Sequence, residues 1–222
     1  MSPRFAPIAL ALGLLLASGN ALASEDISKV NGSIDAQAGQ PYGELATVNG
    51  SIRIHSGAQA REANTVNGSI TADAKAQVGD LSTVNGGIRI GNDARINGSL
   101  ETVNGSIFID AGSVVDGDVE TVNGGIGLVR TQLAGGIETV NGDITVGVGS
   151  HVKGGIKVSR PNGWFNSGAK RLPRVVIGPQ AVVEGPLEFE REVKLYVHSS
   201  ARTGAISGAQ AVSFQSNSAP RD

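Results

Sequence analysis

Thr47-Val48-Asn49-Gly50-Ser51-Ile52-Arg53-Ile54 is the stretch on which the fold turns. Apolar residues alternate with polar ones at a period of two, which is the period of a strand. An Asn-Gly pair between strands ordinarily marks a two-residue hairpin. Here a hairpin would pair Val48 with Ser51 and Thr47 with Ile52. Paired residues share a face, so both faces would mix apolar and polar groups. If the chain runs onward instead, Val48, Ile52 and Ile54 all face one interior, and Thr47 and Arg53 face outward. The expectation is a chain that does not reverse.

The same string recurs along the chain. Val-Asn-Gly begins at Val30, Val48, Val66, Val84, Val103, Val122 and Val140, at spacings of 18, 18, 18, 19, 19 and 18 residues. Isoleucine follows two residues past each glycine, from Ile34 to Ile144. A second corner reads apolar-x-Gly-x-apolar, as in Ile96–Leu100, Val115–Val119, Leu133–Ile137 and Val152–Ile156. It is clipped in the second and third repeats, at Ala60–Ala63 and Val78–Leu81, so length variation is expected at this one bend.

Short strands joined by glycine corners, repeating every 18–19 residues, predict an all-β fold. It is a single-domain parallel β-helix, or β-solenoid, one rung per repeat. The sequence leaves handedness open, with a right-handed coil preferred. One rung cannot bury its own core, so stability must come from stacking on its neighbours. Eight to ten rungs at about 4.8 Å make a rod roughly 40–50 Å long.

Composition agrees with a narrow aliphatic core. The 222 residues include 32 glycines, 4% aromatics and no cysteine. The N-terminus has the form of an export signal: Arg4, an apolar run from Phe5 to Ala17, then Ala21-Leu22-Ala23. The expected division is a signal peptide over 1–23, a β-solenoid over 24–214 with an insertion loop at 160–174, and a disordered tail over 215–222. Without Arg4 the mature chain has 17 basic and 20 acidic residues, a net −3, which gives nucleic acid no basic footprint. No segment of the mature chain is expected to span a membrane.

Two families share these motifs. The run Ala111-Gly-Ser-Val-Val-Asp-Gly-Asp-Val119 resembles the repeat of bactofilins, bacterial polymer-forming proteins. The reiterated Thr-Val-Asn-Gly-x-Ile string resembles an adhesin-type family of β-strand repeat proteins. Together the resemblances span Val30 to Ile156, with an echo from Val175 to Leu187. They imply a β-helix without an active site, and bactofilins also assemble end to end. Bactofilins generally lack an export signal, so the pattern at 1–23 points to an envelope or surface role.

Candidate site residues are few. Asn31, Asn49, Asn67, Asn85, Asn104, Asn123 and Asn141 are expected to form a structural ladder of stacked amides. The insertion holds Trp164 and Phe165 among Arg160, Lys170 and Arg171, the composition of a binding loop on a rigid scaffold. His55, His151 and His198 have no ligand spacing, so no metal or cofactor is expected. Asp116 and Asp118 sit at a corner and do not form a catalytic pair. The chain reads as a non-catalytic, exported structural or adhesin-like protein whose partner is itself or an envelope polysaccharide. The alternative is a polysaccharide-binding module using the Thr/Asn face or the Trp164 loop.

Overall fold

The structure is a computed structural model and describes residues 24–161 and 171–220. The segment 1–23 and Trp164, Phe165 and Lys170 therefore lie outside the described residues. Among those described, strands are the only regular element, and every pairing is parallel. They form a 16-stranded and a 10-stranded sheet wound into one β-solenoid. Ten stacked strands with nine spacings of about 4.8 Å give a rod roughly 43 Å long.

The rungs stack in register, apart from one shift between Glu25 and Ile27 in the first pairing. Ile34, Ile52, Ile70, Ile88, Ile107, Ile126 and Ile144 stack as one column, continued by Val175 and Leu195. All nine side chains are buried to 2% exposure or less. A second column runs Leu45, Ala63, Leu81, Leu100, Val119, Ile137, Ile156 and Leu187. Removing a leucine or isoleucine from water contributes about 1.5–3 kcal/mol, and here the groups that cover it are the same residues one rung away.

The Asn-Gly pair is a corner between the two sheets, and it resets the alternation. Strand Pro41–Asn49 ends there, and Ile52–Ile54 begins on the other sheet. Counting back from Ile52 by twos across this corner fails. Thr47 is buried and Val48 lies half-exposed on the outside, the reverse of the expected assignment. Thr65, Thr83, Thr102, Thr121 and Thr139 are likewise 3% exposed or less. Each of the first five threonines donates its hydroxyl to a glycine carbonyl one corner back, as Thr65 does to Gly50 at 2.8 Å and Thr102 to Gly86 at 2.9 Å. Leu45, Leu81, Leu100, Val119 and Ile137, two residues before these threonines, mark the inward face.

Glycine at this corner answers a close approach between rungs. A Cβ on Gly68 would sit 1.9 Å from the carbonyl oxygen of Gly50. The second corner is similar, with a Cβ on Gly117 falling 2.5 Å from the Gly98 oxygen. In the early rungs that corner is absent. Pro41–Asn49, Gln59–Asn67 and Gln77–Asn85 are single nine-residue strands. Val78 and Leu81 enclose two residues, whereas Ile96 and Leu100, stacked on them, enclose three.

A third bend, unread in the sequence, also absorbs length. Ile109 and Val115 enclose five residues, but Leu128 and Leu133, stacked on them, enclose four. This bend needs a left-handed residue, and only some rungs supply glycine. Gly57, Gly112 and Gly149 alternate with Lys75, Asp93, Arg130 and Gln180, all at positive φ. Small buried residues follow, among them Ala76, Ala94, Ser113, Thr131 and Ala181. Non-glycine residues at positive φ are uncommon, which is why composition alone hid this corner.

Candidate functional site

The seven ladder asparagines stand in one exterior column at the first corner. After Asn31, each of the six side-chain amides donates to the Oδ1 of the asparagine one rung back, from Asn49 to Asn31 at 3.1 Å through Asn141 to Asn123 at 3.0 Å. The column therefore has a direction, with every carbonyl pointing toward the C-terminal end. Its last carbonyl, on Asn141, accepts from Nη1 of Arg191 at 2.7 Å, and the same nitrogen reaches the Val140 carbonyl at 3.0 Å. Arg191 carried no signal in the sequence, because it lies fifty residues from the amide it covers.

The ladder ends where the insertion begins. Val158 stacks on Thr139 and Val175 on Ile144. The first pair of stacked positions encloses four residues in the lower rung and sixteen in the upper, so the first corner is expanded by twelve residues. Its two feet are tied to the scaffold. The Arg160 guanidinium donates to the Glu190 carbonyl, and its backbone N–H meets the Glu190 carboxylate at 3.2 Å. That N–H and then Lys157 hold the Glu190 carboxyl below its ordinary value. Arg171 pairs with Asp143, whose other oxygen accepts the Arg174 backbone N–H at 2.9 Å. Arg160 and Arg171 thus stand at opposite feet of the loop, each against an acid of the rod.

A second column lies on the outer face of the larger sheet. Glu101, Glu120 and Glu138 stack on consecutive rungs, followed in register by Lys157 and Glu188. Burial first, then Glu101, Glu138 and Asp118, push the Glu120 carboxyl up to about 7. Burial, Asp80 and Asp118 raise Glu101. Asp118 accepts from the Gly136 N–H at 2.7 Å, and Glu138 from the Ser159 hydroxyl at 2.6 Å. A shallow groove of about 260 Å³ follows this column, lined by Asp118, Glu120, Glu138, Lys157, Pro186 and Glu188. The three glutamates precede their threonines at the repeat spacing, and the structure places them half-buried in one column on the outer face.

The other acid and histidine pairs are dispersed. Asp116 faces Arg95 at 3.4 Å, His151 meets Glu184 at 2.6 Å, and His55 lies between Asp35 at 3.2 Å and Asp73 at 3.8 Å. Among the described residues no group of three or more His, Cys, Asp or Glu side chains is placed to hold a metal ion. None of the described residues forms a helix long and apolar enough to cross a membrane. The buried threonines also remove the Thr half of the expected Thr/Asn face, since their hydroxyls already serve the corners.

Stacked parallel rungs, an aliphatic core and an amide ladder define a β-solenoid repeat protein. No family model, curated protein or solved structure matches the chain.

Proposed function

We propose that the protein is an exported, non-catalytic β-solenoid rod, a structural or adhesin-like element of a bacterial cell envelope that associates with further copies of itself. The observation that carries this reading is a stack whose first and last strands have no outer partner among the described residues. Strand Glu25–Asn31 pairs on one side only, with Pro41–Asn49, and is exposed along nearly its whole length. Strand Ala211–Phe214 pairs only with Lys194–His198, and three of its four residues are exposed. Val30 and Val212 on these edges are 59% and 53% exposed. Open edges offer unpaired N–H and C=O groups to another chain, and solenoids that stay single end in polar capping repeats.

Export is supported by the charged, apolar and small-residue pattern of 1–23, and the repeat resembles polymer-forming and adhesin-type families. Electron microscopy of the mature protein tests the rod reading. The expected images are rods about 43 Å long at low concentration that join into strings as concentration rises. Single particles at every concentration, or a cytosolic chain that keeps Met1, would overturn it.

A further inference from the structure

The second large cleft lies on the outer face of the smaller sheet, away from both ladders. Its floor comes from two stacked rungs: Thr145, Gly147 and Val148 below, and Arg174, Val176, Gly178 and Pro179 above. Its wall is the returning C-terminal segment, with Phe214, Asn217, Ser218 and Ala219. One fixed bond ties the segment down, from Arg174 Nη2 to the Pro220 carbonyl at 2.8 Å. The cleft is open to solvent and has a volume of about 740 Å³, within the roughly 300–1,000 Å³ of small-ligand sites.

Shape and charge both narrow the ligand class. The floor follows strand Arg174–Ile177 for about 10 Å and then bends at Gly178 and Pro179. Gly147 and Gly178 leave its middle without side chains, while Val148, Val176, Pro179 and Phe214 supply apolar walls. Val148 is 40% exposed, an apolar side chain facing open space. Among the described residues the single charged lining group is Arg174, at one end of the run. Its guanidinium is steered by the Tyr196 ring, 4.9 Å from its centroid. A guanidinium has five N–H donors in a fork that suits a carboxylate, and Pro220 takes one.

We propose that this cleft binds a free, linear acyl carboxylate of medium chain length. The acyl chain lies along Gly147, Val148, Val176 and Gly178 beneath Phe214, and the carboxylate meets Arg174. A mainly apolar cleft with a cation at one end fits this chemistry better than a sugar, which needs polar partners along its whole length. The cleft is built within one chain and stands independently of whether the rods join.

Calorimetric titration of the mature protein with dodecanoate, below its micelle concentration, tests the site. One dodecanoate per chain is expected, with dodecanol binding at least tenfold more weakly. Val176→Trp, which fills the floor, should abolish binding, and a melting curve of the variant checks that the rod still folds. Arg174→Met should weaken dodecanoate at least tenfold and leave dodecanol unchanged. Absent saturable binding, or equal binding of acid and alcohol, overturns the proposal. So does undiminished binding by a folded Val176→Trp protein. Co-sedimentation with phosphatidylglycerol vesicles, without dodecanoate binding, would assign the cleft to a lipid surface and overturn the free-ligand reading.

Discussion

Nη1 of Arg191 donates to Oδ1 of Asn141 at 2.7 Å and ends a run of six amide–amide bonds that begins at Asn31. The ladder has one exposed carbonyl at its C-terminal end, and the residue that satisfies it arrives two rungs later, from the bend before strand Lys194–His198. A hydrogen bond from a charged donor contributes about 1.5–3 kcal/mol. Arg191→Ala should destabilise the rod by that order, and Arg191→Lys, a point charge without the fork, by less. Urea unfolding of the three proteins checks the ranking. Equal midpoints would show that the ladder needs no terminator.

The inward threonines lead to a comparison of two aspartate substitutions. Ile107 and Thr102 are both buried, on different columns of the same rung stack. Burying a charge without a partner costs several kcal/mol at either site. Ile107→Asp and Thr102→Asp should therefore both collapse thermal stability. Thr102→Val, which removes only the hydroxyl bond to the Gly86 carbonyl, should cost about 0.5–1.5 kcal/mol. A mild Thr102→Asp phenotype would place threonine on the outside.

Corner glycines should be intolerant of alanine even where φ is ordinary. Gly68→Ala brings a Cβ to 1.9 Å from a backbone oxygen of the adjacent rung, and neither backbone can move without breaking the stack. A loss of about 3 kcal/mol is expected, at the upper end of the usual range for point substitutions. Gly57→Ala meets nothing within 4 Å and is strained only by its φ of 74°. It should lose closer to 1 kcal/mol. Parallel melting curves distinguish a steric cause from a conformational one.

The glutamate column makes stability depend on pH. Glu120 titrates near 7 in the folded rod, above its ordinary 4.5. The folded state therefore holds more protons than the unfolded chain between those values. This contribution is fully present below about 4.5 and is lost as pH rises through about 7. The melting temperature should fall between pH 5 and 8, and Glu120→Gln should flatten that slope and raise the value at pH 8. A wild-type profile that is flat or rises over this range would contradict the column's shared burial.

Trp164 and Phe165 fall in the sequence between Arg160 and Arg171, whose side chains are already paired to the rod. The double substitution Trp164→Ser with Phe165→Ser should leave melting nearly unchanged, because rung stacking continues across the insertion from Ile144 to Val175. Retention of the protein on envelope fractions should drop. A large fall in melting temperature would instead make the two rings part of the core.

The repeat was legible in the sequence because a solenoid spells its vertical neighbours at a fixed spacing. Identical residues 18 or 19 apart had to stack, and Ile34 through Ile144 do. The aliphatic core, the parallel sheets and the asparagine column follow from that periodicity. What could not be read was phase. Alternation by two holds only within a strand, and the Asn-Gly corner consumes residues whose directions it resets, so Thr47 and Val48 exchange sides. Hydroxyl burial then depends on a glycine carbonyl fifteen residues back, which only the closed rung brings within reach. Tertiary structure alone also decided the contacts that skip the repeat. Arg191 reaches Asn141, and the C-terminal segment returns to Arg174 to wall a cleft. None of these pairs lies at the repeat spacing in a repeated motif, so periodicity carries no information about them.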